Sequence, residues 1–510
     1  MSQKVYLLGA GPGDPGLLTV KAKELLQRAD VVIYDYLANA DFLRLCPKEA
    51  ELVYVGKKAG AHTLPQDKIN ELIVQKAGQG ALVVRLKGGD PYIFGRGAEE
   101  AQELVRAGLD FEVVPGISSA VAATAYAGIP LTHRDYASSV SFVTGHEDSG
   151  KKESAHNWKS LATGTSTLVF FMGVKNLEYI TQNLLENGMR PDMPAALVRW
   201  GTTCQHCSLV ADLASIVEVA RKNNMQAPAL FIVGEVVRLR DELNWFEQKS
   251  LLGKGVIVTR AREQASVLTT LLQDQGACCL EFPTIAILPI ADSLPIKKAI
   301  SELQKWDWLI FTSVNSVRIF WSHLVEMGLD ARCLHGTKVA AIGPATADGL
   351  RERGINPDFI PPEYVAESIV QGLVELGVKG CRVLVPRALK AREVLPEKLR
   401  EAGAEVEILP VYETMLSEVD GREILAALEA GEASYLTFTS SSTVENFFRL
   451  VKPERLAPFV EAGLVLACIG PVTAKTLKSF GFEAAIMPTD YTVPALAEAL
   501  SLHALAEQKK

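Results

Sequence analysis

Val5-Tyr6-Leu7-Leu8-Gly9-Ala10-Gly11-Pro12-Gly13-Asp14 is a short apolar run that breaks into a glycine-rich turn. The pattern returns twice: Ala81 to Leu86 leads into Lys87-Gly88-Gly89-Asp90, and Phe111 to Val114 leads into Pro115-Gly116-Ile117-Ser118-Ser119. Apolar runs of this length, bounded by turn residues, read as buried parallel strands. Each loop therefore sits at the C-terminal end of a strand. Open α/β sheets bind ligands at that edge, because glycines let the backbone approach a ligand and a following helix offers free N–H groups. The first loop is not a dinucleotide fingerprint, since Pro12 removes a donor that a pyrophosphate needs, and no Walker lysine follows it. Taken singly, it reads more readily as a tight strand-to-helix turn than as a ligand site.

A second signal is an internal repeat. Val256-Ile257-Val258-Thr259-Arg260 returns as Val383-Leu384-Val385-Pro386-Arg387, and Phe311-Thr312-Ser313 returns as Phe438-Thr439-Ser440. Ile342-Gly343-Pro344-Ala345-Thr346-Ala347 returns as Ile469-Gly470-Pro471-Val472-Thr473-Ala474, and Tyr364 returns as Tyr491. The offset is 127 residues each time. An unbroken offset means two copies of one α/β unit, with equivalent strand-end loops facing a common cleft.

Val5 to Ala22, the Gly88-to-Gly97 loop, Pro115 to Ser119, Gly128-Ile129-Pro130-Leu131-Thr132-His133-Arg134 and Pro228 to Val237 resemble uroporphyrinogen-III C-methyltransferase, in family order, over roughly residues 1–245. The resemblance implies a tetrapyrrole-methylase fold of two α/β domains. It also implies two methyl transfers from S-adenosylmethionine to ring carbons of a tetrapyrrole, giving precorrin-2, with no metal. Carried over by position, the cofactor contacts are Pro12, Gly88, Gly89, Asp90, Ile93, Ser118, Ser119, Met172, Gly201 and Ala229. Asp35 matches the acidic active-site residue and Lys57 the proton-handling lysine, while Lys57, Lys58 and Arg134 would offer positive charge to an anionic tetrapyrrole. The plain readings stand beside these: Asp35 as a helix cap, Lys57 and Lys58 as a solvated turn, Met172 as a strand-end core residue. The chain departs from the family at Tyr36, where an arginine is usual.

The duplicated half, with its Phe-Thr-Ser and Ile-Gly-Pro-x-Thr-Ala loops, resembles uroporphyrinogen-III synthase over roughly residues 253–510. That implies two repeated α/β domains, 255–285 plus 412–510 and 286–411, joined by crossings near Glu281 to Pro289 and Leu409 to Glu413. It implies closure of hydroxymethylbilane with inversion of the last ring. Tyr412, Thr346 and Thr473 match cleft positions of the family. Thr312, Ser313, Thr439 and Ser440 would bind carboxylates, with Arg260, Arg387 and Arg392 adding charge. Against this, threonine after a strand is often an N-cap and loop arginines are usually solvated.

Composition suits such a pair of enzymes. A chain of 510 residues is too long for one core and points to three or four structural domains; 48% apolar and 22% charged residues are ordinarily globular. The net charge of −8 gives no reason to expect nucleic acid or an acidic membrane surface. No apolar run approaches the roughly 20 residues of a membrane span, and a strand begins almost at once, so a cytoplasmic location is expected. Eight cysteines do not make a disulfide scaffold. Cys204 and Cys207 form a lone CxxC with an incidental or structural reading, and Cys278 and Cys279 read as small core residues. Arg238 to Gly255 separates the halves, with 246–254 as a linker whose aromatics suggest docking. The expected partners are small tetrapyrroles, with homodimerisation through the methyltransferase half. Two alternatives stay open: a methyltransferase with a silent binding module as its second half, and methylation of a macromolecule.

Overall fold

β1 (Lys4–Gly9), β2 (Val31–Tyr34), β3 (Glu51–Tyr54), β4 (Val83–Lys87) and β5 (Asp110–Val114) form a parallel sheet in the order β3-β2-β4-β1-β5. Strand alternation sorts their side chains onto two faces. Val5, Leu7 and Val83 pack with Ile69, Ile73, Ala101 and Leu104 from the helices Gln66–Gly78 and Gly97–Arg106. Leu8, Val84 and Leu86 pack on the other face with Ala22, Leu25 and Phe42. The computed structural model describes residues 4–56, 64–79, 81–145, 156–259, 262–363, 366–391, 393–417 and 420–508.

β6 (Val140–Thr144), β7 (Thr167–Phe171), β8 (Pro194–Arg199), β9 (Cys207–Asp212) and β10 (Ala229–Val233) form a second sheet in the order β6-β7-β10-β8-β9. β10 runs antiparallel to both β7 and β8, with Ala229 opposite Arg199 and Phe231 opposite Phe170. The start of β10 therefore shares an edge with the ends of β7 and β8.

The repeat is visible in the second half. β11 (Gly255–Val258), β12 (Cys278–Glu281), β13 (Ile285–Pro289), β14 (Trp308–Phe311) and β15 (Lys338–Ala341) are the first copy; β16 (Arg382–Ala388), β17 (Glu405–Leu416), β18 (Tyr435–Phe438) and β19 (Val465–Cys468) are the second. Gly255 to Arg382, Trp308 to Tyr435 and Lys338 to Val465 are each 127 residues. One sheet runs β12-β11-β18-β19 and the other β13-β17-β16-β14-β15, so each copy begins in one sheet and finishes in the other. β17 is unbroken where the first copy is split into β12 and β13. It stays in the second of these sheets to Leu416, because Tyr412 to Leu416 pair antiparallel with β13. The second crossing thus lies beyond the expected 409–413 window.

Contacts group the chain into two units, Met1–Gly255 with Leu271–Cys279 and Leu500–Lys510, and Val256–Thr270 with Leu280–Ala499. In the first unit the segment between the halves docks. Trp245 Nε1 donates to the Ala125 carbonyl (3.1 Å), Phe246 packs on the rings of Tyr126 and His206, and Gly253 N–H donates to the Cys204 carbonyl (3.1 Å). Cys204 is disulfide-bonded to Cys278. This gives Cys204 the structural one of its two readings and corrects the reading of Cys278 as core packing: the fold brings together two cysteines 74 residues apart, which spacing alone cannot reveal. No described helix is long and apolar enough to cross a membrane.

Candidate active sites

The three glycine loops interlock at the C-terminal edge of the first sheet. Ala10 N–H donates to Lys87 O (2.7 Å), and Gly11 and Gly89 exchange N–H···O bonds of 3.1 and 2.7 Å. A Cβ on Gly116 would lie 2.7 Å from Gly9 Cα, and one on Gly88 would lie 2.6 Å from Leu37 Cβ. Only glycine lets these backbones approach so closely. Asp90 clips two of the loops together: its Oδ2 accepts from Gly116 N–H (3.1 Å) and its Oδ1 from Tyr92 N–H (2.8 Å). Ser118 precedes the helix Ser119–Tyr126 without a side-chain capping bond. Its hydroxyl and the first helical N–H groups are thus left for a ligand.

The second sheet supplies the facing edge. Met172 follows β7, Gly201 follows β8 and Ala229 opens β10, which is why residues so distant in sequence converge. Met172 is 53% exposed, so the core-residue reading fails for it. Met172, Trp200 and Thr202 all have left-handed backbone, at φ 56°, 49° and 73°. Such conformations cost non-glycine residues about 1–2 kcal/mol each and tend to gather at functional sites. The two edges touch: Asp14 N–H donates to Thr202 Oγ1 (3.1 Å), the rings of Phe94 and Phe171 lie 4.9 Å apart, and Tyr36 meets Trp200 edge-on. Tyr126 donates its hydroxyl to Asp14 Oδ2 (2.6 Å). Burial, followed by that hydrogen bond and the carboxylate charge, pushes its phenol above the usual range. Pro12 lies in the first loop, Ile93 is partly exposed in the second, and Gly201 packs on Ala123.

Asp35 follows β2. Its Oδ1 accepts from Leu37 N–H (3.2 Å) and its Oδ2 from Arg85 Nη2 (3.0 Å). It caps a turn locally but is held from beneath by a neighbouring strand. Arg85, Lys87 and Glu100 were not anticipated, although two charges alternating within the apolar run of β4 were a readable sign. Arg134 is exposed on a turn. Lys57, Lys58, Arg260, Tyr364 and Arg392 lie outside the described residues.

In the second half the serines, not the threonines, cap the helices. Ser313 Oγ accepts from Ser316 N–H (3.1 Å), and Ser440 forms a reciprocal capping box with Thr443. Ser313 Oγ also lies 3.2 Å from Tyr412 Oη, and Tyr412 is buried on β17. Thr312 and Thr439 are half-buried beside these serines. Thr346 and Thr473 lie in the first turns of Pro344–Arg351 and Pro471–Ser479, each 4% exposed. Both helices begin with proline, whose missing N–H costs nothing at that position. Arg387 is buried and ion-paired with Glu393, not solvated. Among the described residues no group of three or more His, Cys, Asp or Glu side chains could hold a metal.

Residues 4–217 match the Tetrapyrrole (Corrin/Porphyrin) Methylases, and residues 266–498 match Uroporphyrinogen-III synthase HemD. The porphyrin biosynthesis protein HemD of Ruminiclostridium josui is 37% identical over 481 residues, covering 94% of both chains. A uroporphyrinogen-III C-methyltransferase of Bacillus subtilis is 49% identical over 248 residues, which is 48% of this chain and 95% of that protein. A uroporphyrin-III C-methyl transferase structure from Thermus thermophilus, complexed with S-adenyl homocysteine, is 42% identical. It covers 46% of this chain and 99% of its own, with a TM-score of 0.40.

Proposed function

Because the chain belongs to the tetrapyrrole methylases through its first half and to the uroporphyrinogen-III synthases through its second, we propose that it carries out consecutive reactions. The second half closes hydroxymethylbilane to uroporphyrinogen III, and the first half methylates that product twice to precorrin-2. The observation that carries the methylation reading is the meeting of three interlocked glycine loops with the Met172, Gly201 and Ala229 edge.

Pro12, Gly88, Gly89, Asp90, Ile93, Ser118, Ser119, Met172, Gly201 and Ala229 would hold S-adenosylmethionine, which supplies a methyl group already activated on a sulfonium. The fit rests on the glycine cradle, the uncapped helix start after Ser118 and the exposed Met172 side chain. A reduced pyrrole is an electron-rich carbon nucleophile, so the chain has to align the acceptor and take one proton per transfer. Lys57 is the lysine assigned to that proton, and Asp35 is the acidic active-site residue. In the second half, loss of a terminal hydroxyl and folding of a flexible chain need acid assistance and orientation. Tyr412, Thr346 and Thr473 would provide the first, and the hydroxyls of Thr312, Ser313, Thr439 and Ser440 would grip carboxylates, with Arg260, Arg387 and Arg392 adding charge. The methylase half is proposed to dimerise, and the protein to work in the cytoplasm on small tetrapyrroles rather than nucleic acid or membrane.

Titration calorimetry with S-adenosylmethionine, followed by transfer of labelled methyl to uroporphyrinogen III, tests the first half. Two labels per macrocycle support it; label in protein or RNA instead would contradict it. A second reading, with a silent synthase half, draws on the burial of Arg387 against Glu393. Only the spontaneously closed type I isomer from hydroxymethylbilane, at a rate unchanged in Tyr412→Phe and Thr473→Val variants, would favour it.

A further inference from the structure

β4 carries two cations into the apolar face of the first sheet. Arg85 and Lys87 are two residues apart and so share the face of Val83, under the helices Gln66–Gly78 and Gly97–Arg106. Their side chains are 3% and 5% exposed, and the Glu100 side chain between them is fully buried. Glu100 Oε1 accepts from Arg85 Nε (3.1 Å), Lys87 Nζ (2.9 Å) and Gln66 Nε2 (3.1 Å), while Oε2 has no hydrogen-bond partner among the described residues. The rest of the Arg85 fork is also spent. Nη1 donates to the carbonyls of Ile33 (3.3 Å) and Leu86 (3.0 Å), and Nη2 donates to Asp35 Oδ2.

Stability alone is a poor reason for this arrangement. Each buried ion loses its solvation, and well-packed apolar residues would serve as well or better. One member of the group reaches the site: Asp35, whose side chain is 27% exposed. The guanidinium is pinned at Nε and Nη1, so its remaining donor can point only at that carboxylate. Leu37 N–H holds the other oxygen, which leaves the Asp35 side chain a single orientation. Lys87 balances the charge, and burial, followed by the nearby Arg85, pushes its ammonium below the usual lysine range while Glu100 opposes the shift.

We propose that Glu100 and Arg85 are positioning residues for methyl transfer: Glu100 aims Arg85, and Arg85 fixes Asp35 toward the tetrapyrrole. This rests on the reading of Asp35 as the acidic active-site residue. The test compares the full-length wild type, Glu100→Gln, Arg85→Lys and Asp35→Asn, and combines each of the first two variants with Asp35→Asn. Misorientation of one reacting group can lower kcat about tenfold to a hundredfold. Glu100→Gln and Arg85→Lys should each show a loss of that size, with KM for S-adenosylmethionine unchanged. In the Asp35→Asn background the same changes should add less than about twofold, because residues acting through one group are not additive. Equal losses in both backgrounds would mean a merely structural role and overturn the proposal, as would wild-type kcat in both single variants. Should Glu100→Gln fail to fold, Arg85→Lys carries the comparison alone. Full activity of Asp35→Asn itself would sink the proposal at its premise, an outcome separate from additivity.

Discussion

The loop that ends at Ser118 and the loop that ends at Ser440 have the same local grammar, a strand running into a serine and then a helix, yet they are used differently. Ser440 uses its hydroxyl oxygen as an acceptor for its own helix through a capping box, leaving its O–H to donate, whereas Ser118 makes no capping bond and its loop is threaded between two others. The first half thus builds its site from bare backbone held open by glycine. The second repeats a self-satisfied loop twice and relies on side chains set into it. Sites of the first kind are intolerant of added atoms, and sites of the second kind are intolerant of lost hydroxyls.

The largest expected effect on ligand binding is on the glycine lattice. Gly116→Ala adds a Cβ against Gly9 and Gly89 backbone, where neither partner can move aside. Overpacking of this sort costs about 1–3 kcal/mol, so binding of S-adenosylmethionine should fall about fivefold to a hundredfold by calorimetry while cyclisation persists. Loss of both activities together would erase the contrast between the halves.

Next is the covalent tie. Replacing Cys204 and Cys278 by serine releases a closure over 74 residues, worth up to about 4 kcal/mol in the chain-entropy view. Denaturation of the oxidised protein with and without reductant should show a stability difference absent from the double variant. In a cytoplasmic protein this bond would be open to reduction.

A smaller effect is expected on acidification. Burial works against ionisation of Glu247, but hydrogen bonds from His206, Ser208 and Arg240 win and hold its carboxyl at about 2. A depressed carboxyl stabilises the fold above its unfolded value of 4.5 and loses that contribution as pH falls toward 2. Solvent screening of this partly exposed carboxylate leaves a linkage of at most about 3 kcal/mol. Glu247→Gln should therefore flatten the stability profile of the first unit across that window, as followed by urea titration; an unchanged profile would remove Glu247 from the account.

The smallest effects sharpen the comparison most. Ser440→Ala should cost about 1 kcal/mol of stability as a lost cap. Ser118→Ala should leave stability nearly untouched and weaken the cofactor instead. Reversed outcomes would mean the two serines had been assigned each other's roles.

Much of this was readable in the chain because glycine marks backbone crowding directly. Gly9, Gly88 and Gly116 stand where no side chain fits, and the 127-residue offset survives as aligned strands in two sheets. What escaped was chemistry made by distant partners. Arg85 and Lys87 look like interruptions of an apolar strand until Glu100 is seen between them, and Cys204 finds Cys278 rather than the nearby Cys207. Capping went to Ser313 and Ser440 rather than their threonine neighbours, because the residue with extended backbone just before the first turn is one position further along.

The central claim, two working sites in consecutive order, is tested most directly by giving the protein hydroxymethylbilane under anaerobic conditions, with and without S-adenosylmethionine, and identifying the tetrapyrroles by chromatography and mass. Uroporphyrinogen III is expected without the methyl donor and its dimethylated product with it. Only the spontaneously closed type I isomer without the donor would contradict it.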